Sequence, residues 1–149
     1  MTVRETELTD EVLERLIAMS RDWEAENSCY GYRANQREDI EGNRIFLAED
    51  GGEVIGYLFG SVHLSENMGS IMPTGTKYFE VEELYVIPER RSRGVGGELF
   101  RFAEKALAEE AEFAVLSTAT KNRNAIFHFY IDEMGMQMWS ARLYKRIKE

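Results

Sequence analysis

The sequence predicts an α/β (α+β) fold: a mixed, mostly antiparallel central sheet of six to seven strands, with about four helices on both faces. Runs of period two and runs of helical period succeed one another in the order β-α-α-β-β-β-α-β-α-β. The chain has 149 residues, 44% of them apolar or aromatic, enough for one sizeable core and not for two. Only two prolines, and a charged fraction of 30% mixed with seventeen aromatic residues, argue against disorder. One domain over residues 1–149 is expected.

Thr2 to Glu7 read as a short first strand, and Thr9 or Asp10 then caps a helix with Val12, Leu13, Leu16, Ile17 and Trp23 at helical spacing. Residues 26–43 are polar and aromatic around Tyr30, Gly31 and Tyr32, which predicts a loop and a short helix near Arg37 to Gly42. Ile45 to Ala48, the turn Asp50-Gly51-Gly52, and Val54 to Phe59 form a β-hairpin pattern. Ser65 to Thr76 make a long loop of the sort that is functional or mobile; its Met68 and Met72, with Trp23, Tyr30 and Tyr32, are candidates to line an acceptor pocket. Tyr78 to Ile87 is a β-branched and aromatic strand ended by Pro88. Gly94 to Glu110 follow with Val95, Leu99, Phe102, Ala103, Ala106 and Leu107 on one helical stripe. Phe113 to Thr118 predict another strand, Asn122 to Met134 another helix, and Met136 to Ile147 a closing strand or strand pair.

Eighteen Lys and Arg against twenty-seven Asp and Glu give a net charge of −9, which repels phosphate polyanions and draws cations to a concave acidic surface. Nucleic acid is therefore not an expected partner. No apolar stretch suits a membrane, and Glu5, Glu7, Asp10, Glu11 and Glu14 stand where a signal peptide needs an apolar run, so a cytoplasmic protein is expected. Cys29, the single cysteine, cannot form an internal disulfide, and no Cys/His spacing resembles a zinc site, so no metal is expected.

The strongest chemical signal is the turn Pro88-Glu89-Arg90-Arg91-Ser92-Arg93-Gly94-Val95-Gly96-Gly97. A helix starting here offers unpaired N–H groups and the positive end of its dipole, a cradle for a diphosphate. Gly94 and Gly96 would let the backbone approach a bulky anion, Gly97 would let the helix pack closely on its strand, and Arg90, Arg91 and Arg93 concentrate positive charge in an acidic chain. A Walker A loop is excluded because Gly97 is followed by Glu98, Leu99 and Phe100 rather than Lys and Ser or Thr. A dinucleotide fingerprint fits poorly, since the form is G-x-G-G after antiparallel-looking strands.

Arg91-Ser92-Arg93-Gly94-Val95-Gly96, preceded by Leu84-Tyr85-Val86-x-Pro88, resembles the Q/R-x-x-G-x-G/A acetyl-CoA loop of the GNAT superfamily of N-acetyltransferases. Asn122-x-x-Ala125, Phe129-Tyr130 and Gly135 resemble that family's fourth-helix pattern, so the resemblance covers roughly residues 78–147. It implies a GNAT-like fold and acetyl-CoA as co-substrate. Backbone groups of Leu84, Tyr85 and Val86 would pair with the pantetheine arm like an added strand. The turn Arg91, Ser92, Arg93, Gly94, Val95, Gly96 and Gly97 would hold the diphosphate, and Asn122 would lie near the arm, unless it is an ordinary helix cap.

Acetyl transfer to an amine requires a neutral nucleophile, although an alkylamine has a pKa near ~10. Glu80, Glu82 and Glu83 are the candidate bases on the strand before the turn. Simple alternation puts Glu80, Glu82, Leu84 and Val86 on one face and Val81, Glu83 and Tyr85 on the other, an assignment that a bulge would change. Similarity to polyamine acetyltransferases, with their Glu-Asp pair, favours Glu82 and Glu83, and aminoglycoside 3-N-acetyltransferases carry an acid at the position of Glu83. Ser117 stands where ribosomal-protein acetyltransferases carry a glutamate, which points away from their mechanism. A backbone N–H near Val86 would stabilise the oxyanion, and Tyr130 matches the family's phenolic acid. Five residues separate Tyr130 from Gly135 where the family has four, and an added residue turns a helical side chain by about 100°; Phe127, Phe129 and Tyr130 also suit a core.

The expected activity is transfer of an acetyl group from acetyl-CoA to a primary amine, a small cationic molecule of polyamine or aminoglycoside type. The alternatives are acetylation of a protein N-terminus or lysine, and a non-catalytic acyl-CoA-binding regulatory module. Strand exchange or edge pairing through the C-terminal strand would give a homodimer.

Overall fold

In the computed structural model, which describes residues 1–148, five strands make one sheet in the order β1-β2-β3-β4-β5. They are β1 (Thr2–Thr6), β2 (Arg44–Asp50), β3 (Glu53–Leu64), β4 (Lys77–Val86) and β5 (Phe113–Val115). The first three junctions are antiparallel and β4–β5 is parallel, so the sheet is mixed and mostly antiparallel. Four helical segments accompany it: α1 (Asp10–Glu26), α2 (Arg37–Ile40), α3 (Val95–Leu107) and a π-helix (Ala125–Glu133).

Among the described residues the sheet has five strands, not six to seven. The strand expected over Met136 to Ile147 is absent: after the Met136 N–H bonds Tyr130 O at 2.9 Å, the chain joins no ladder. Alternating residues make a segment compatible with a strand, but pairing needs an edge within reach, and that is a tertiary matter. β5 is likewise shorter than expected. After Val115 the chain leaves β4 and Thr120 bridges Cys29, while Tyr30 N–H bonds Ala119 O at 2.9 Å.

α1 starts where Thr9 accepts a bond from Val12 N–H at 3.2 Å, with Asp10 and Glu11 in the first turn complementing the dipole. It ends at Asn27 in the left-handed region, φ 53°. Leu13, Leu16 and Met19 pack on one face of the sheet with Tyr57, Phe59 and Tyr85. α3 covers the other face, with Leu99, Phe100 and Ala103 against Leu58, Phe79 and Val81.

Two irregularities of β4 position the site. Phe59 pairs with Glu83 but Gly60 with Val81, so Glu82 is the extra residue of a β-bulge. The bulge corrects the alternation expected from sequence: Val81 shares the α3 face with Leu84 and Val86, while Glu83 and Tyr85 face α1. Pairing with β5 stops at Glu80↔Val115, which leaves Glu82 to Val86 without a neighbouring strand on that side among the described residues.

The long loop is tied down. Ser65 exchanges bonds with Thr76 and Gly75 at 2.8 and 2.9 Å, its hydroxyl donates to Pro73 O at 2.8 Å, and Met72 is buried.

Candidate active site

The expected diphosphate turn is a 3-10 turn over Pro88–Arg90 followed by α3. Gly94 caps α3 with φ +82°, and the first helical bond runs from Glu98 N–H to Gly94 O at 3.0 Å. The N–H groups of Val95, Gly96 and Gly97 therefore have no intrahelical acceptor. A Cβ on Gly94 would meet nothing within 4 Å, so the approach to these groups is open. Gly96 has a different duty from the one expected: a Cβ there would stand 3.3 Å from Phe129 of the π-helix. Gly97 faces Met134 and Arg101 rather than a strand, with Cβ distances of 3.4 Å to Met134 Cε and 3.0 Å to Arg101 Nη1. Val95 is buried; Ser92 and Arg93 are exposed, Ser92 with φ 62°.

The arginines of this turn do not act as one cluster. Arg90 pairs with Asp50. Arg91 makes a two-pronged pair with Glu26 at the end of α1, at 2.7 and 2.8 Å, donates from Nε to Val86 O at 2.8 Å, and lies 5.3 Å from the Tyr85 ring centre. Arg93 has no ion pair among the described residues. Burial alone would raise Glu26, but Arg91 and the Tyr85 hydroxyl, 2.7 Å away, hold its carboxyl below the usual range. The local positive charge of the turn is thus largely neutralised by Asp50 and Glu26.

Behind Arg91 runs an aromatic wall. Trp23 stacks on Tyr32 at 4.2 Å and on Tyr85 at 5.1 Å. Tyr32 leads to Glu83, whose Oε1 accepts from Tyr32 at 3.0 Å, Tyr57 at 2.8 Å and Asn35 Nδ2 at 2.9 Å. Oε2 accepts no bond among the described residues, and since no buried side-chain polar atom there lacks a partner, Oε2 is open to solvent. Burial pushes the Glu83 carboxyl above its usual range, against the pull of its three donors. The same enclosure raises the Tyr57 and Tyr32 phenols and keeps them protonated donors. Glu82 sits exposed on the bulge, and Glu80 is raised by burial and then by the charge of Glu82.

Tyr130 lies on the π-helix, whose wide turns absorb the extra residue before Gly135. The Met134 N–H reaches back five residues to Phe129 O at 2.9 Å, and the Met136 N–H six residues to Tyr130 O at 2.9 Å. Burial pushes the Tyr130 phenol up to about 12, and the neighbouring Cys29 adds to the shift. Asn122 caps the turn before this helix, its Oδ1 accepting from Asn124 N–H at 3.0 Å.

The sequence model of the acetyltransferase (GNAT) family matches residues 10–136 of this chain. The chain belongs to the GNAT family. It is an acyl-CoA-dependent N-acetyltransferase with acetyl-CoA as its acetyl donor. An N-alpha-acetyltransferase of Sulfurisphaera tokodaii is 29% identical over 126 residues, spanning 83% of this chain and 74% of that protein. Solved structures share the fold at low identity. The aminoglycoside N-acetyltransferase AAC(6')-Iy in complex with CoA has a TM-score of 0.67 at 18% identity, over 99% of both chains. A transcriptional regulator from Bacillus halodurans has a TM-score of 0.71 at 19% identity, over 98% of this chain and 100% of that one.

This GNAT chain has features that fit an acetyl-CoA molecule. β4 has no neighbouring strand over Leu84 to Val86 among the described residues, although Arg91 occupies the Val86 carbonyl, and the α3 N-terminus offers N–H groups without an intrahelical acceptor behind a glycine with open space in front. Among the described residues no helix is long and apolar enough to cross a membrane. Glu26, Asn35 and Tyr57 were not anticipated from sequence. One signal existed for two of them: Glu26 stands three residues after Trp23 on α1, and Tyr57 lies in the hairpin strand that pairs with the Glu83 strand.

Proposed function

We propose that Glu83 is the general base of this acetyltransferase and Tyr130 its general acid. The observation that carries this is the one-sided binding of Glu83: three donors fix Oε1 and leave Oε2 free to take a proton. The amine nitrogen attacks the thioester carbonyl carbon, its proton passes to Glu83 Oε2, the C–S bond breaks, and the Tyr130 hydroxyl supplies the proton to the departing sulfur. Glu82 and Glu80 contribute negative charge that attracts the cationic acceptor. Main-chain N–H groups near Val86 stabilise the oxyanion, and Leu84 to Val86 hold the pantetheine arm. Residues Arg91 to Gly97 bind the diphosphate chiefly through main-chain N–H groups, since Arg91 is engaged by Glu26.

The acceptor is a primary amine on a small cationic molecule, drawn to a wall that combines Trp23 and Tyr32 with the carboxylate of Glu83. A second reading, the α-amine of a protein N-terminus, is supported by the name of the Sulfurisphaera tokodaii relative. A panel of polyamines, aminoglycosides and N-terminal peptides, assayed with acetyl-CoA and a thiol reagent, discriminates them by relative kcat/KM. No CoA release beyond hydrolysis with any of these amines would end the proposal.

Two further outcomes are expected. Gly94→Glu forces a side chain into φ +82° and sets a carboxylate at the helix N-terminus, so calorimetry should show acetyl-CoA affinity falling by about 100-fold. Tyr130→Phe should lower kcat by about 100-fold with acetyl-CoA affinity unchanged. Unaltered kcat in that variant would remove Tyr130 from the chemistry and leave it a packing residue.

A further inference from the structure

α1 ends without a cation of its own. No basic residue stands in its last turn, where the carbonyls carry the negative end of the dipole, and its last residue is the half-buried Glu26. Arg91, 65 positions away, supplies the missing charge: Nη1 and Nη2 donate to Glu26 Oε1 and Oε2 at 2.7 and 2.8 Å, and Nε donates to Val86 O at 2.8 Å. The seat itself is fixed. Tyr85 donates its hydroxyl to Glu26 Oε2 at 2.7 Å, sets its ring 5.3 Å from the guanidinium, and is stacked by Trp23 at 5.1 Å.

This arrangement turns Arg91 away from the place where its position in the chain would use it. Arg91 stands three residues before Gly94, beside the turn that presents the α3 N–H groups. A guanidinium there is suited to a two-pronged bond with phosphate, yet both prongs are filled by Glu26. Its third bond holds it to the sheet. The Ile87 N–H bonds Ile55 O at 2.9 Å, so the alternation of an antiparallel ladder turns the groups of Leu84 and Val86 away from β3, and Arg91 grips the outward Val86 O.

The two forms of the cofactor give the withholding a purpose. Acetyl-CoA and CoA carry the same phosphates, so a contact from Arg91 to phosphate would hold product as firmly as substrate. Such uniform binding adds nothing to the chemical step and slows release.

We infer that Glu26 is a positioning residue of the cofactor turn, which withholds the Arg91 guanidinium from the phosphates of acetyl-CoA and CoA and so keeps both ligands exchangeable. The inference rests on the reading that residues Arg91 to Gly97 bind the diphosphate.

Calorimetry on the full chain tests it. Glu26→Gln keeps the size of the side chain and an oxygen for the Tyr85 hydroxyl, but it cannot hold Arg91 by charge. Acetyl-CoA and CoA should each bind this variant about tenfold more tightly than wild type, as one added charge-assisted contact would give, and the gain should shrink with added salt. Arg91→Gln in the wild type should change either affinity by less than about threefold, whereas in Glu26→Gln it should erase the gain. S-acetylpantetheine, which lacks the phosphates, should bind wild type and Glu26→Gln alike. The sign discriminates, because a pair that merely braced the turn would leave Glu26→Gln with weaker binding. Equal or weaker acetyl-CoA binding by Glu26→Gln, or a gain that survives Arg91→Gln or extends to S-acetylpantetheine, would overturn the inference. If Gly94→Glu meanwhile loses affinity as expected above, such a result removes the role of Glu26 alone; affinity indifferent to Gly94→Glu removes the diphosphate reading and this inference together.

Discussion

Glu83→Gln is expected to lower kcat by about 10²- to 10⁴-fold at neutral pH while leaving acetyl-CoA affinity unchanged. The amide keeps the size of the carboxyl and can still accept from Tyr32, Tyr57 and Asn35, so the wall around it stays in place. What it loses is the capacity of the second oxygen to take a proton. The pH profile supplies the specific signature. Burial raises Glu83, so kcat of the wild type should fall with decreasing pH along a limb lying above the ordinary glutamate value of about 4.3, as the base becomes protonated. That limb should vanish in Glu83→Gln. Glu82→Gln, on the exposed bulge, should keep the limb and chiefly raise the KM of a cationic acceptor. A profile unchanged by Glu83→Gln, or lost with Glu82→Gln instead, would transfer the role of base to another residue.

Stability should move in the opposite sense to activity. A carboxyl raised in the folded state favours folding when protonated, and that contribution is lost as pH rises through the raised value. Above the raised value the ionised Glu83 is a net cost to the native state, so in that range Glu83→Gln should melt no lower than wild type. Melting curves at neutral and acidic pH check this: the gain of the variant should shrink as the pH falls.

Gly60→Ala is expected to destabilise the fold by about 3 kcal/mol and to lower its melting temperature by roughly 10 °C, with most activity lost. A Cβ at this position would lie 2.1 Å from Glu80 O and 3.0 Å from the Phe79 ring, and the first of these is main chain that cannot rotate away. Gly60 pairs with Val81 on one side of the bulge, and Phe59 pairs with Glu83 on the other. Relieving the clash means parting β3 from β4 or abandoning the extra residue. A one-residue slip turns Glu83 from the α1 face toward α3. Thermal melting and kcat of Gly60→Ala test this together. Wild-type values for both would show that the bulge does not depend on a bare backbone at Gly60.

The legibility of this site varies residue by residue. Leu84 to Val86 and the turn from Arg91 to Gly97 could be proposed from the sequence because a strand end and glycines at fixed spacing are a local record. The carboxylates were visible only as a cluster. Choosing among Glu80, Glu82 and Glu83 needed the bulge, which sits opposite Gly60 on a neighbouring strand more than twenty residues away. Arg91 was expected at a diphosphate, but its bond to Glu26 joins residues 65 apart, and such a pair leaves no spacing to read. The added residue before Gly135 was plain in the sequence, while its accommodation in a π-helix, with Phe129 packed on Gly96, was not.

The sequence by itself determined the order of elements as far as the last helix and the mixed sheet, because hydrophobic period and helix capping are properties of neighbouring residues, and the resemblance of its strand end and glycine turn to the GNAT pattern gave the family and the donor. Only the tertiary structure decided that the described residues form five strands, that Glu83 rather than Glu82 turns into the aromatic wall, and that the last thirteen of those residues stand free of the sheet. Each of these depends on strand register or on which edge lies within reach, and both are set by contacts between distant parts of the chain.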